Sequence, residues 1–254
     1  MELGLEMYAL LFGVALLAGF IDAIAGGGGL ITIPALLATG MPPALALGTN
    51  KLQACGGSFS ASWYFIRRKA VNLREIAVLI GMTFLGAVLG TVLVQQMNAD
   101  FLKKILPFLI FAIGIYFLLT PKLGESDKQK RVSYLVFAVT AGFAIGFYDG
   151  FFGPGTGSFL SLAFVMLLGF NLAKATAHAK VLNFTSNIAS LLFFLIGGQV
   201  AWTLGLVMLA GQFIGARMGA RMVLTKGQKL IRPMVVVVAF VMASKLAFDY
   251  GWFG

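Results

Sequence analysis

Charged residues are scarce in this chain. They make up 11 % of its 254 residues, whereas a soluble domain usually has about 25 %. Hydrophobic residues make up 59 %, so an ordinary soluble enzyme is excluded. Acidic residues are the rarer charged class, and the formal net charge is +10. The basic residues form short clusters between long apolar runs, which is typical of a membrane protein with basic cytoplasmic loops and excludes a nucleic-acid binder.

Cysteine and histidine occur once each, as Cys55 and His178. One cysteine excludes an intramolecular disulfide and a cysteine-based metal cage, and we expect neither a metal nor a cofactor. No Walker-type loop is present, so an ATP-driven pump within this chain is not expected. The Gly-x-Ser-x-Gly turn of serine hydrolases is also missing. An intramembrane hydrolase, with Ser58, Ser158 or Ser186 beside His178, is therefore a weak alternative, and we predict that the chain is not an enzyme.

Eight apolar runs are long enough to cross a bilayer, which takes roughly 20 apolar residues in a helix. The run nearest the N-terminus is predicted to be a retained span and not a signal peptide, because it is preceded by Glu2 and Glu6 and by no Lys or Arg. The eight runs are Met7–Ala25, Ala44–Ile66, Ile76–Val94, Ile105–Leu119, Val132–Phe152, Leu172–Gly197, Thr203–Leu224 and Pro233–Phe248.

Two further apolar stretches are about half as long. Leu30–Thr39 follows four consecutive glycines, and Ser158–Leu168 follows the run Gly-Pro-Gly-Thr-Gly at 153–157. Glycine and proline interrupt helices. Non-helical backbone at membrane depth is tolerated only where protein or a water-filled cavity surrounds it. These two interruptions are therefore the first places to look for a binding site.

The two halves of the chain resemble each other. Gly19-Phe20-Ile21-Asp22 matches Gly146-Phe147-Tyr148-Asp149, and later Lys51 matches Lys180 in the same order. We predict an internal duplication, with a first membrane repeat at 1–124 and a second at 125–254. Each repeat is expected to contain four full transmembrane helices and one broken or re-entrant half-helix, so the fold class is an all-α polytopic membrane protein.

The basic loops predict opposite orientations for the two halves. In the first half the basic loop follows the second span, at 67–74; the equivalent loop in the second half, 198–202, is uncharged, and basic residues stand one loop later, at 225–232. Because basic loops stay in the cytoplasm, the second half is expected to be inverted, with the N-terminus outside. Inverted repeats with broken helices are the architecture of many secondary transporters, which bind substrate near the midplane.

The helix restarts after the two interruptions are candidate anion sites. A helix that restarts inside the membrane leaves backbone N–H groups free and presents the positive end of its dipole. Tight helix packing explains a single glycine run equally well, but two runs at equivalent positions favour a site. The residues expected to bind a small anionic substrate are Gly27, Gly28, Gly29 and Thr32 in the first half and Gly155, Thr156, Gly157 and Ser158 in the second.

Lys51 and Lys180 each lie inside an otherwise apolar span, where an ionisable residue is costly and usually functional. The alternative is snorkelling, because each is about seven residues, or roughly 10 Å, from the start of its helix. A stripe of polar residues around them is predicted to contact the anion or to join helices. For His178 the roles of proton carrier and of structural residue both stay open. The stripe members assigned to the site are Asn50, Gln53, His178, Asn183 and Asn187.

Asp22 and Asp149 are matched acids just before the interruptions. Either they bind a coupling proton or cation, or they hold the broken backbone by accepting its N–H groups. Arg217 and Arg221 are assigned to the cytoplasmic end of a span. Stripes of small residues permit close packing either within the protomer or in a homodimer; they are Gly86 with Gly90, and Gly211, Gly215 and Gly219.

Three segments carry a family resemblance: GFIDAIAGGGGLITIPALLATGMPPALALGTNKLQACGGSFSASWYFIRRK, GFYDGFFGPGTGSFL and NLAKATAHAKVLNFTSNIASLLFF. They resemble the TauE/SafE family of sulfite and organosulfonate permeases, most of all a bacterial inner-membrane branch of it. The likeness covers essentially the whole chain. It implies transport of sulfite or small organosulfonates across a bacterial inner membrane, driven by an ion gradient. An anion channel built from the same inverted repeats is the nearest alternative.

Overall fold

The computed structural model describes residues 4–119 and 127–225, and all regular structure within these two ranges is helical. We number nine helices within them. They are α1 (Leu5–Ala25), α2 (Gly29–Ala38), α3 (Pro43–Arg67), α4 (Ala77–Gln95), α5 (Ala99–Leu119), α6 (Tyr134–Phe151), α7 (Thr156–Leu168), α8 (Leu172–Ile196) and α9 (Trp202–Thr225).

Five of the helices in the described part of the chain are long and apolar enough to cross a membrane: α1, α4, α6, α8 and α9. The prediction of an all-helical, multi-pass membrane protein is therefore confirmed. The count of eight spans stays a prediction, because α3 and α5 are not among these five and Pro233–Phe248 lies outside the described residues.

The predicted helix boundaries agree with the described helices to within two residues, with one exception. Helix α5 begins at Ala99 instead of Ile105. The Asn98 side chain explains the earlier start, because its Oδ1 accepts the N–H of Asp100 at 2.7 Å, as a helix N-cap does. The apolar run could not indicate this start, since Lys103 and Lys104 follow in the first turns.

A five-residue π-helical segment, Ala138–Gly142, lies inside α6 and was not predicted. Such segments appear mostly as single turns inserted into α-helices, frequently near functional sites. Here the insertion precedes the part of α6 that ends at the second interruption. It therefore affects the direction in which Asp149 and the residues after it are presented.

The glycine stripes are used inside the chain. A Cβ on Gly90 of α4 would lie 2.0 Å from the carbonyl oxygen of Phe147 on α6, and a Cβ on Gly215 of α9 would lie 1.9 Å from that of Leu16 on α1. Close backbone approach of this kind is what small residues permit between membrane helices. The stripes consequently give no support to a homodimer, which stays a prediction.

Helix packing is reciprocal between the two halves. Helix α1 packs on α9 and α6 packs on α4, while α3 packs on α9 and α8 packs on α4. Under the predicted duplication, α1 corresponds to α6, α3 to α8 and α4 to α9. Helices α1, α3 and α4 therefore each pack on a helix of the other half, and α3 and α8, which carry most of the buried polar side chains, pack on each other. The division at residues 124 and 125 itself stays a prediction.

A candidate anion site between two interrupted helices

The first interruption is held by Asp22. Helix α1 ends at Ala25, and Gly26 adopts a left-handed φ of +73° while its N–H donates to the carbonyl oxygen of Asp22 at 2.8 Å. The N–H of Gly28 then donates to Oδ1 of Asp22 at 3.2 Å, immediately before α2 begins. Asp22 thus already accepts one of the backbone N–H groups before α2, as expected if this acid holds the interrupted backbone.

The second interruption is built differently. Gly153 and Gly155 have φ values of +104° and +85°, a region that glycine enters without steric cost. Pro154 between them has no N–H to offer. The hydroxyl of Thr156 donates instead, to Oδ1 of Asp149 at 2.9 Å and to the carbonyl oxygen of Gly153 at 2.7 Å.

The structure brings the two interruptions into direct contact. A Cβ on Gly26 would lie 2.2 Å from the nitrogen of Ser158, and one on Gly157 would lie 2.8 Å from the Cα of Gly26. The Ser158 hydroxyl donates to the carbonyl oxygen of Ala25 across the same junction. Each chain break therefore packs against the first turn of the helix that restarts after the other break, although the two breaks are far apart in sequence.

The two predicted lysines form ion pairs across the halves. Nζ of Lys51 lies 3.0 Å from Oδ1 of Asp149, and Nζ of Lys180 lies 2.8 Å from Oδ2 of Asp22. Lys51 also donates to the carbonyl oxygen of Asp149. Both lysine side chains are only 1 % exposed, so snorkelling to the membrane surface does not describe them. Each lysine instead joins its own half to the interrupted helix of the other half.

The polar stripe forms two smaller clusters beside these pairs. In the first, the hydroxyl of Thr32 and Nε2 of Gln53 donate to Oδ1 of Asn50, at 2.7 and 2.6 Å. In the second, Nδ2 of Asn187 donates to Oδ1 of Asn183 at 2.7 Å. All five side chains are buried, which leaves them pre-positioned around the interruptions.

A small cavity of about 20 Å³ lies where these groups meet. This volume holds roughly one water molecule. Most of its lining was predicted from the sequence, and Gln212 of α9 is the polar residue that was missed. Its polarity within an apolar span was the available signal. The cavity is lined by Asp22, Gly26, Gly29, Asn50, Ala54, Asp149, Gly153, Gly155, Gly157, Asn183, Asn187 and Gln212.

His178 is placed elsewhere. Its ring packs against those of Phe164 and Phe170, with centroid distances of 5.5 and 4.9 Å, and its Nδ1 is 2.8 Å from the carbonyl oxygen of Lys174. It is not among the residues that line the cavity. This environment is that of a packed, hydrogen-bonded histidine, and a role in substrate or proton binding stays a prediction.

The serines considered for a hydrolase donate to the main chain. Ser58 donates to the carbonyl oxygen of Ala54 at 2.6 Å, and Ser186 donates to that of Leu182 at 3.2 Å. Ser158 is engaged at the junction of the interruptions. These contacts anchor the hydroxyls in their helices and give no support to a nucleophile beside His178.

Comparison with known sequences identifies the family. The profile of the family described as "Sulfite exporter TauE/SafE" matches residues 11–246. The chain belongs to the TauE/SafE family. A protein of Haemophilus influenzae named "Probable membrane transporter protein" is 62 % identical over 253 residues, which cover 100 % of this chain and 99 % of that protein. The Escherichia coli K12 protein named "Probable membrane transporter protein YfcA" is 65 % identical over 243 residues, which cover 96 % of this chain and 90 % of YfcA.

A more distant relative has the same span. The Bacillus subtilis protein named "Probable membrane transporter protein YunE" is 22 % identical over 267 aligned positions, covering 95 % of this chain and 98 % of that protein. The resemblance expected from the three segments is therefore confirmed. This TauE/SafE chain is a multi-pass protein of a membrane-transporter family, and its relatives are named as transporters.

The TauE/SafE chain has a second, larger cavity of about 620 Å³ at the ends of α3 and α9. The guanidinium carbon of Arg217 lies 4.8 Å from the centroid of the Tyr64 ring at its wall. The sequence assigned Arg67 and Arg68 to a cytoplasmic loop and Arg217 and Arg221 to the cytoplasmic end of a span, and it did not indicate that they share a cavity. We call it the arginine vestibule, and it is lined by Tyr64, Arg67, Arg68, Arg217, Met218, Arg221 and Met222.

Proposed function

We propose that this chain is a secondary transporter that moves small sulfur-containing anions, such as sulfite or organosulfonates, across the bacterial inner membrane. The observation that carries the proposal is the contact between the two interrupted helices, with a buried lysine from each half at the junction. Ammonium, hydroxyl and amide donors converge there, and donors held in fixed positions offset the desolvation of an anion. The family description supports the substrate class.

Alternating access is the mechanism that we propose. A cavity of about 20 Å³ admits roughly one water and not a four-atom oxyanion. The described arrangement is therefore a closed one, and substrate binding requires the helices around the interruptions to move apart. The reciprocal packing supplies two similar bodies that rock against each other. An ion gradient drives the cycle in this proposal.

The arginine vestibule supports the inverted arrangement of the halves. Helix α9 corresponds to α4 in the predicted duplication, and α4 begins where the short loop after α3 ends. If the second half had the same orientation as the first, the end of α9 would lie on the opposite side of the membrane from the end of α3. Instead Arg67 at the end of α3 and Arg217 near the end of α9 line one vestibule. We propose that this side is cytoplasmic and that the N-terminus lies outside.

Lys180→Met tests the binding site, and Lys174→Met on the same helix is its matched control. Lys180 is buried at the junction, whereas the Lys174 side chain is 42 % exposed and pairs with Asp127. We expect proteoliposomes to show saturable counterflow of thiosulfate or ethanesulfonate with the unmodified protein and with Lys174→Met. Counterflow should be lost with Lys180→Met. Equal counterflow from both variants would contradict the site.

Accumulation of anion against its own gradient distinguishes a transporter from a channel. Counterflow that accumulates labelled anion against its own gradient requires alternating access, whereas a continuous pore only equilibrates it. We therefore expect transient accumulation in the counterflow experiment. Simple equilibration, with a conductance proportional to anion concentration, would replace the transporter proposal by the channel.

A further inference from the structure

The four ionisable groups of the two ion pairs at the junction sum to zero charge. Lys51 and Lys180 carry two positive charges, and their partners Asp149 and Asp22, at 3.0 Å and 2.8 Å, carry two negative charges. An anion that binds between them adds a negative charge that nothing in these pairs compensates. An uncompensated charge out of contact with water is strongly unfavourable. The site therefore requires a positive charge to arrive together with the anion.

The two aspartates differ in their capacity to accept it. Both carboxylate oxygens of Asp22 have donors, since Oδ1 accepts from Gly28 and Oδ2 from Lys180. Asp149 receives Lys51 and Thr156 on the same oxygen, Oδ1. Its Oδ2 is buried and has no donor among the described residues. Asp149 is 2 % exposed and lines the cavity, so an acid with an unpartnered carboxylate oxygen belongs to the lining of the place where the anion is expected.

We infer that Asp149 takes up a proton when the anion binds, so that the protein carries anion and proton together. This inference rests on the proposed transport function. The proton forms an O–H bond on the carboxylate, and the ammonium of Lys51 keeps all its protons. Neutral Asp149 no longer balances Lys51, so the junction gains one positive charge for the anion. Lys51 stays at the interruption because it also donates to the carbonyl oxygen of Asp149.

The other groups described around Asp149 are not the ones that take up the coupled proton. Helix α3 contributes Lys51 and the buried thiol of Cys55, and α7 contributes the neutral hydroxyl of Thr156. The phenol of Tyr148 donates to the carbonyl oxygen of Pro154 at 2.5 Å. The α4 residues at the glycine contacts with α6 are uncharged: Thr83, Gly86, Ala87 and Gly90.

Helix α8 adds two ionisable groups on this side. Lys180 is bound to Asp22, and His178 is packed against Phe164 and Phe170. A metal cation at Asp149 would lie against the ammonium of Lys51, which is 3.0 Å from Oδ1. Repulsion between two such cations in a buried site favours a proton.

Asp149→Asn and Asp22→Asn form the matched pair that tests the inference. The probe is ethanesulfonate, because it is a monoanion near neutral pH and carries no proton of its own. Two measurements are made in proteoliposomes: anion counterflow at equal pH on both sides, and the change in internal pH during net anion uptake. Counterflow reports anion transport alone, and the internal pH reports the coupled proton.

We expect the unmodified protein to acidify the interior in proportion to anion uptake. Asn at 149 resembles the protonated acid, so the anion transport that this variant retains, whatever its rate, should no longer acidify the interior. Asp22→Asn should keep its acidification per anion even where its rate falls. Proportional acidification by Asp149→Asn, its loss only in Asp22→Asn, internal alkalinisation, or uptake driven by a sodium gradient would each overturn the inference. Absence of counterflow in the unmodified protein would instead reject the proposed function.

A binding measurement in detergent keeps the test valid if Asp149→Asn does not fold. Uptake of one proton on binding makes the anion dissociation constant of the unmodified protein rise by about tenfold per pH unit wherever Asp149 is ionised in the free state. A weakly buffered solution should accordingly become more alkaline when anion is added. An affinity that does not change with pH, without proton uptake, would refute the inference whatever the variants do.

Discussion

The two lysine–aspartate pairs occupy equivalent places in the two halves, yet their surroundings differ. Lys51 and Asp149 are 1 % and 2 % exposed, whereas Asp22 in the other pair is 16 % exposed. Asp22 also caps the restarting helix through the N–H of Gly28, while Asp149 receives both its donors on one oxygen. One pair therefore holds the interrupted backbone through Asp22, whereas in the other pair Oδ2 of Asp149 has no donor among the described residues.

The sequences of the two interruptions explain this difference. The first is four glycines, so the N–H of Gly28 is free to reach Asp22. The second has Pro154, which lacks an N–H, followed by Gly155 in a left-handed conformation. Thr156 then supplies a hydroxyl in place of a backbone donor. The two matched acids thus accept hydrogen bonds from different donors, because the few residues that follow each of them differ.

Replacement of the lysines should give the largest difference in stability between the two ion pairs. Lys51→Met leaves Asp149 buried without its charge partner, which we expect to destabilise the fold by about 3–5 kcal/mol. Lys180→Met should cost less, because Asp22 is partly exposed and keeps the N–H of Gly28. Thermal and denaturant unfolding in detergent measure both. The double change Lys51→Met with Asp149→Asn should recover most of the loss, and equal losses from the two single lysine variants would show that the pairs are equivalent.

Gly153→Ala should disturb the buried pair selectively. The backbone at Gly153 has a φ of +104°, and an added Cβ would lie 2.9 Å from both Oδ1 of Asp149 and Nζ of Lys51. Backbone strain of this kind costs about 1–3 kcal/mol. Gly40→Ala is the control, since Gly40 also has a positive φ of +81° but open space around its Cβ position. Unfolding measurements should show a larger loss for Gly153→Ala, and equal losses would mean that the pair is not crowded.

Removal of single hydroxyls should give a smaller difference between the two sites. Thr156→Val removes a donor to the carboxylate of Asp149, a hydrogen bond to a charged group worth about 1.5–3 kcal/mol. Thr32→Val removes a donor to the neutral amide of Asn50, worth about 0.5–1.5 kcal/mol. Both threonines are buried, so each is the other's control in unfolding experiments. A larger loss at Thr32 would contradict the stronger hydrogen bond expected at the Asp149 carboxylate.

Arg217→Gln should have the smallest effect on stability, because this side chain lies in the open arginine vestibule and not in a buried pair. A positively charged cleft raises the local concentration of anions and their association rate, and salt screens this effect. We therefore expect a higher KM for thiosulfate at low ionic strength, an unchanged melting temperature, and little difference from the unmodified protein at high salt. A KM increase that persists at high salt would indicate direct anion contact instead.

Much of the architecture was predictable because the signals are local. Apolar run length fixed all but one of the compared helix boundaries to within two residues, and the glycine-rich runs indicated both interruptions. The start of α5 was missed because Asn98 caps the helix before Lys103 and Lys104, whereas the apolar run begins only after these two lysines. The π-helical segment of α6 was missed because its hydrogen bonds have no pattern in the residues themselves.

The partners within the site were not predictable. The sequence matched Asp22 with Asp149 and Lys51 with Lys180, but it did not indicate that each lysine binds the acid of the other half. Gln212 and the shared arginine vestibule were missed for the same reason, since they depend on which helix packs beside α3.

Sequence alone determined that this is a helical membrane protein, where its helices break, and which residues are too polar to lie in a span without cause, because each of these depends on the cost of exposing polar groups to lipid. Only the tertiary structure decided how the breaks meet, which lysine neutralises which acid, and which carboxylate oxygen is left without a donor. Those are matters of distances of a few ångströms between residues 98 to 158 positions apart, and residue order along the chain does not fix such distances.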